Sequence, residues 1–422
     1  MRRSLAIIGA GWAGLAAAVE ATTAGHAVTL FEMAAQPGGR AREVRFDELS
    51  LDNGQHILIG AYTQTLRLMR RVGVDPETAL LRMPLRLSEP DGRGLHLRAG
   101  APLLAFTGAV WRRAGWPLAE RLGLLTTAGR WGLGGFRCDP TWSVARLAAG
   151  LGPAVRRDLI EPLCVAALNT PADQASAVVF LRVLKDALFS GPGSADLLLP
   201  RTDLSALFPR PAADWLQRHG ASFRSSQRVQ VLEQDGAGWR LDGDAFDAVL
   251  LATPPGEAAR LTAPIAPAWS AQAGALRYEP IVTVYLRSRG TRLAEPMLAL
   301  RSDAQAPAQF VFDRGQLGGP AGLLAFVISG AQPWVERGGE ATLRATRVQA
   351  EQALSTALAG ELEFVQTITE KRATFRCTPG LRRPAMAVAP NLLAVGDHVE
   401  GPYPATLEGA LRSAVRAVSA LT

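Results

Sequence analysis

The first thirty-two residues carry the most regular pattern in the chain. Leu5 to Ile8 form an unbroken apolar run, Leu15 to Ala24 is a mostly apolar stretch rich in alanine, and Gly9-Ala-Gly11-Trp-Ala-Gly14 lies between them. A four-residue apolar run closed by glycine predicts a short strand buried on both faces, and the alanine-rich run predicts a helix. Gly25-His26 ends that helix, and Ala27 to Glu32 follows as a second strand. The opening MRRSLAIIGAGWAGLAAAVEA also imitates a secretory signal, with two arginines, an apolar stretch and small residues. Strand, glycine turn, helix and strand account for the same residues more fully.

That arrangement is a dinucleotide-binding fingerprint in its required context. Gly9 allows the tight turn, Gly11 lets backbone approach a pyrophosphate, and Gly14 permits close packing of helix on strand. The helix N-terminus offers free N–H groups and a favourable dipole to the phosphates. Glu32, 18 residues beyond Gly14, ends the second strand where a carboxylate reaches ribose hydroxyls.

Further along, Asn391 to Gly396 reads as a buried strand, closing on Gly396-Asp397 before a helix that starts near Thr406. Ile281 to Leu286 and Gly322 to Ile328 alternate as strands of a sheet, whereas residues 86–204 look mostly helical. The chain shows no internal repeat and no low-complexity linker.

Composition adds bounds. The 422 residues are 48% hydrophobic and 20% charged, which fits a globular protein of about two domains and excludes a disordered one. The net charge of +7 rests on 45 basic residues, of which only Lys185 and Lys371 are lysines. Acidic and basic residues interleave and no basic run stands out, so nucleic acid is not an expected partner. Cys138, Cys164 and Cys377 are far apart, without CxxC pairs or histidines at ligand spacing, which predicts a reducing compartment and no metal site. No apolar run reaches the roughly 18 residues that a spanning helix requires.

The residues after Glu32, ending Pro37-Gly38-Gly39-Arg40-Ala-Arg42, resemble the extended fingerprint of the flavin amine oxidase and phytoene desaturase superfamily. The resemblance implies FAD, held by a discontinuous Rossmann-type α/β domain (residues 1–85, 205–262 and 380–422). An α+β substrate domain (86–204 and 263–379) would complete an amine-oxidase-like fold. Gly39 would bring its loop to the pyrophosphate and Arg40 would add positive charge there. By the same resemblance Val229 lines the adenine pocket, Asp397 accepts from a ribityl hydroxyl, and Gly396, Thr406 and Leu407 face the flavin. Trp12, Ala13, Gly54 and Gln55 complete the expected cofactor contacts.

Three blocks narrow the resemblance: Leu51-Asp-Asn-Gly-Gln-His56, Glu161-Pro-Leu-Cys164-Val-Ala-Ala-Leu-Asn169-Thr-Pro171, and Asp196-Leu-Leu-Leu-Pro200-Arg-Thr-Asp203-Leu-Ser-Ala-Leu-Phe-Pro209. They resemble the squalene-associated FAD-dependent desaturase family, whose members are hydroxysqualene dehydroxylases of bacterial hopanoid biosynthesis. The implied reaction joins reduced FAD and hydroxysqualene to give squalene, water and oxidised FAD. Two neighbouring activities stay open, a carotenoid-type desaturation of a long polyene and a non-catalytic flavoprotein role. Amine oxidation is disfavoured, because Lys185 lies in a helical pattern and Lys371 in a polar strand or loop.

His56 is the first candidate for a proton donor to the leaving hydroxyl and Tyr403 the second. His56 could instead hold its loop through backbone hydrogen bonds, and Tyr403 could only pack beneath the flavin. Asp52 is expected to cap the turn through Asn53-Gly54. Residues 97–137 hold Trp111, Trp116 and Trp131 with six arginines against one acid, Glu120, a composition that suits an interfacial helix pair or a roof over the cavity. The expected setting is therefore a cytoplasmic protein, peripheral on the anionic inner face of the cell membrane, receiving hydroxysqualene from the bilayer or from an upstream synthase.

Overall fold

The computed structural model describes residues 2–421. In chain order, strand β1 (Ser4–Ile8) leads through helix α1 (Trp12–Thr23) to strand β2 (Ala27–Phe31). Helices α2 (Pro102–Arg112), α3 (Leu118–Leu133), α4 (Glu161–Leu168) and α5 (Ala177–Phe189) follow. Strands β3 (Ser222–Arg224) and β4 (Ala248–Leu251) return to the first sheet. The second sheet takes β5 (Tyr278–Arg287), β6 (Met297–Ala299), β7 (Phe310–Asp313), β8 (Leu323–Ile328) and, after helix α6 (Gly339–Ala353), β9 (Glu363–Phe375). The chain closes with β10 (Ala387–Ala389), β11 (Leu392–Ala394) and helix α7 (Leu407–Ser419).

The first sheet has six strands in the order β3-β2-β1-β4-β11-β10, parallel except for the edge strand β10. Its central strands β1, β4 and β11 are apolar apart from Ser4 because both faces are covered. Leu5 and Ile7 of β1 point into one core with α1 and α7, while Ala6 and Ile8 point into another with Trp239 and Trp269. β1 lies between β2 and β4, so consecutive strands leave it in opposite directions. That makes its C-terminal edge a topological switch point, where parallel sheets bind ligands.

The helix α1 starts three residues before the expected Leu15. Gly11, in extended backbone, precedes the first turn, and Gly14 lies inside it. A side chain at Gly14 would put its Cβ 1.8 Å from the Gly9 carbonyl oxygen, so only glycine lets the helix sit on this turn. The second sheet is antiparallel, in the order β6-β7-β8-β5-β9. Alternation divides it. Val282, Val284, Leu324 and Phe326 pack toward α6, whereas Phe310, Phe312, Val327 and Ile281 face the other way, toward the first sheet's C-terminal edge.

Candidate active site

A cavity of about 720 Å³ runs from the switch point of the first sheet to the inner face of the second. The residues that follow β1, β2, β4 and β11 all reach it: Gly9 and Gly11, Glu32, Thr253, and Gly396 with Asp397. Gly9 has a φ of 103° and donates its N–H to the Phe31 carbonyl at 2.7 Å, which turns the chain sharply after β1. Gly38 and Gly39, also at positive φ, bring their loop against the same turn, with Gly38 N–H donating to the Ala10 carbonyl at 2.8 Å. The Glu32 carboxylate accepts from the N–H groups of Ala10 and Ala34, which fixes it across the strand ends. Among the described residues no side chain caps the N-terminus of α1, so its N–H groups stay available to an anion.

At the opposite side, Arg40 donates to Asp397 at 2.7 Å and to the Ala373 carbonyl at 2.8 Å. Burial alone would push Asp397 up, but the Arg40 guanidinium, with His398 beside it, holds its carboxyl well below the usual carboxylate range. Thr406 caps α7 by accepting from the Gly409 N–H at 3.0 Å, and Leu407 follows it into the lining. Tyr403 and Ala405 both hold left-handed backbone, a concentration of strain in the segment that delivers Thr406.

The cavity collects Trp12, Ala13, Gly39, Gly54, Gln55, His56 and Val229 as well. Two of the expected residues lie elsewhere. Gly14 packs beneath the turn, on the Gly9 carbonyl. Tyr403 is buried outside the lining, edge-on to Tyr62 and beneath the Arg412 guanidinium, and burial pushes its phenol up to about 12.

His56 lies in the lining with Nδ1 3.1 Å from the Gly54 carbonyl oxygen, which can only accept, so the proton sits on Nδ1 and Nε2 is left to titrate. Burial lowers its pKa, the Gly54 carbonyl opposes this, and Arg40 lowers it further. Backbone anchoring at Nδ1 thus leaves Nε2 as the ring's titratable nitrogen.

Asp52 does not use its carboxylate on the Asn53-Gly54 turn, which a backbone bond from Gly54 N–H to the Asp52 carbonyl closes. The side chain is buried, accepts from the Leu204 N–H at 2.8 Å and lies 3.7 Å from Arg314. Burial raises its pKa to about 6 against the pull of Arg314. Arg314 also donates to Gln55, whose amide donates to the Tyr285 hydroxyl, and Tyr285 donates back to the Asp52 carbonyl. This closed circuit behind the lining holds Gln55.

Glu370 and Asn169 join the lining through partners that only the fold brings together. Glu370 accepts from the Asn53 amide at 3.0 Å and from the Arg372 N–H at 3.0 Å. Asn169, in left-handed conformation after α4, bridges the Gly330 N–H to Thr374 and the Glu279 carbonyl. Its block Pro162 to Pro171 gives a signal, but the strand partners are more than a hundred residues away. Cys164 of the same block is fully buried and its thiol is pushed up to about 12 by burial, an inert core group.

The chain matches the family of flavin containing amine oxidoreductases over residues 12–422. It belongs to that family. Among curated proteins it is 27% identical to the hydroxysqualene dehydroxylase of Sinorhizobium fredii, covering 99% of this chain and 98% of that one. It is 28% identical to the hydroxysqualene dehydroxylase of Rhodopseudomonas palustris, covering 99% and 98%. The solved structure of cyclohexylamine oxidase from Brevibacterium oxydans superposes with a TM-score of 0.69 at 16% identity, over 100% of this chain and 99% of that one. The last of these speaks for the fold.

The protein is an FAD-dependent oxidoreductase of this family. Its cavity fits the cofactor. Thr253 Oγ1 and His398 Nε2 are buried lining groups without a hydrogen-bond partner among the described residues, as expected where a polar ligand supplies the missing contacts. The two glycine turns leave backbone N–H groups and no side chains around the α1 terminus, the shape a pyrophosphate needs. Among the described residues no group of histidine, cysteine and acidic side chains could hold a metal ion, and no helix is long and apolar enough to cross a membrane.

Proposed function

We propose that this flavoenzyme removes the allylic hydroxyl of hydroxysqualene, forming squalene and water while reduced FAD becomes oxidised. Reduced FAD supplies the hydride. The observation that carries the reading is end-to-end similarity to proteins named hydroxysqualene dehydroxylase. The cavity supports it with a wall of Ile281, Phe310, Phe312, Val327 and Ile368, side chains that suit a hydrocarbon. Both lysines are exposed and neither lines the cavity, which speaks against amine chemistry.

The protein's own task is to orient the substrate, protonate the leaving oxygen and exclude water. The apolar wall positions the chain and keeps bulk water from the carbocation that forms as the hydroxyl leaves. His56 delivers the proton: Nδ1 is tied to Gly54, so protonation at Nε2 creates the acid. Its lowered pKa makes that imidazolium a stronger acid and a scarcer one at neutral pH, so turnover should quicken as pH falls toward it. Asn53 and Glu370 hold the loop that carries His56. Domain boundaries at residues 85, 205, 262 and 380 would put the cofactor in the first sheet's domain and the hydrocarbon against the second sheet.

The test is anaerobic single turnover of prereduced enzyme with hydroxysqualene, read by mass spectrometry for squalene and by absorbance for flavin oxidation. Stoichiometric squalene is expected, and His56→Ala should keep its FAD but lose most of the rate. Recovery of hydroxysqualene with the flavin still reduced would overturn the reaction. An unchanged rate in His56→Ala would remove that residue from the chemistry.

A further inference from the structure

The helices α2 and α3 form a hairpin whose outer faces have no partner among the described residues. Among the described residues, six of the thirteen large apolar side chains left exposed fall between residues 103 and 133: Leu103, Leu104, Trp111, Leu118, Leu122 and Leu133. Their spacing is helical. Leu104 and Trp111 are seven residues apart on α2, while Leu118, Leu122 and Leu133 share one stripe of α3 with Thr126 and Gly129. Leu104 is 75% exposed, Trp111 53% and Leu133 93%, values that rule out a roof over a core at these positions.

The opposite sides are bolted down by polar contacts. Arg113 is buried against Glu89 and Asp158, the Trp116 indole donates to Asp158 at 3.1 Å, and Glu120 accepts from the Val155 N–H at 3.0 Å. Arg121 donates to the Trp111 and Trp116 carbonyls and locks the connection between the helices. Within the stretch that suited an interfacial helix pair or a roof over the cavity, Arg113 and Trp116 serve as anchors. Glu120, the one acid within α2 and α3, is thus turned inward, whereas the exposed charges of residues 97–137 are Arg98, Arg112, Arg130 and Arg137, with Asp139 the first exposed acid beyond them. None of these four makes an ion pair with a described residue.

We infer that the α2–α3 hairpin is an interfacial surface that seats the protein on an anionic lipid bilayer. A bilayer offers acyl chains to the leucines, an interfacial zone to Trp111 and phosphate to the arginines, all on one plane. A second copy of the chain suits the surface poorly, because a symmetric contact would bring Arg112 and Arg130 against like charges, and among the described residues α2 and α3 present no exposed acid of their own to offset them.

The experiment is co-sedimentation of the FAD-loaded full chain with vesicles of phosphatidylcholine alone or mixed with phosphatidylglycerol, with size-exclusion chromatography alongside. Wild type is expected to pellet with the anionic vesicles and to be released as salt is raised. Arg112→Gln/Arg130→Gln should lower partitioning about 25-fold, roughly fivefold per arginine, and Leu104→Ser/Leu133→Ser should weaken it on both vesicle types. FAD absorbance per chain reports that the variants remain folded, and the salt titration of wild type stands without any variant. Wild type left in the supernatant with anionic vesicles would overturn the inference. So would an arginine variant that pellets as wild type does, or a leucine variant whose only change is from dimer to monomer.

Discussion

At the residue scale, Asp52 shows how the site obtains rigidity at a cost in stability. Its carboxylate is buried, receives one backbone N–H, and has Arg314 at 3.7 Å, too far for a short ion pair. Desolvation therefore prevails and the folded pKa rises to about 6 from the ordinary 3.8. Below 3.8 the group is protonated in both states; between 3.8 and 6 the unfolded chain releases the proton that the folded one keeps, so stability falls as pH rises to about 6 and levels off above it. A shift of this size corresponds to roughly 3 kcal/mol between pH 4 and 7. Asp52→Asn keeps an oxygen for the Leu204 N–H and cannot ionise, so its urea midpoint should lack this part of the decline. Parallel wild-type and variant curves from pH 4 to 7 would show that Asp52 titrates normally. Composition and spacing could not reveal this role, because Leu204 and Arg314 are distant in sequence and the Asn53-Gly54 turn offers a nearer use for the carboxylate.

At the element scale, the turn between β1 and α1 is where sequence and structure agree most closely, and the reason is steric. Gly9 needs its positive φ, and Gly14 needs the absence of a Cβ 1.8 Å from the Gly9 carbonyl. Such requirements are local, so they appear in the chain as glycines at fixed spacing. Gly14→Ala cannot be absorbed by a rotamer change, since the clash is with backbone; it should push α1 off β1, lower FAD content severalfold and cost about 1–3 kcal/mol of stability. An alanine variant purified with wild-type FAD content would contradict that packing. The helix boundary was harder to read, because Trp12 and Ala13 sit inside the glycine motif yet already belong to α1. The apolar strands β5 and β8 were equally legible by alternation. Asn169, Glu370 and Arg314 were not, since their partners come from segments that only the fold brings together. Of the tryptophans between residues 97 and 137, Trp111 is exposed while Trp116 is buried, a difference that their shared composition conceals.

For the whole molecule, the cavity is the seam between two sheets. Its floor comes from the ends of β1, β2, β4 and β11, its far wall from β5, β7, β8 and β9, and Arg40 ties the two by holding Asp397 after β11 and the Ala373 carbonyl on β9. A ligand that fills such a seam is buried by both sheets at once, so its binding free energy should stabilise them together rather than one alone. At a free FAD concentration one hundred times Kd, binding adds about 2.7 kcal/mol to the folded state. Spread over the unfolding entropy of a chain this long, that raises Tm by only about 3 °C. Calorimetry of apo and FAD-loaded protein should therefore give one transition in each case, with the holo midpoint higher and rising with added FAD. Two transitions, of which only one follows FAD, would mean that the sheets unfold independently and that the Arg40 tie does not couple them. Arg40→Met offers the complementary measurement: with the guanidinium gone, buried Asp397 loses its 2.7 Å ion pair, and FAD should shift the midpoint less than in wild type.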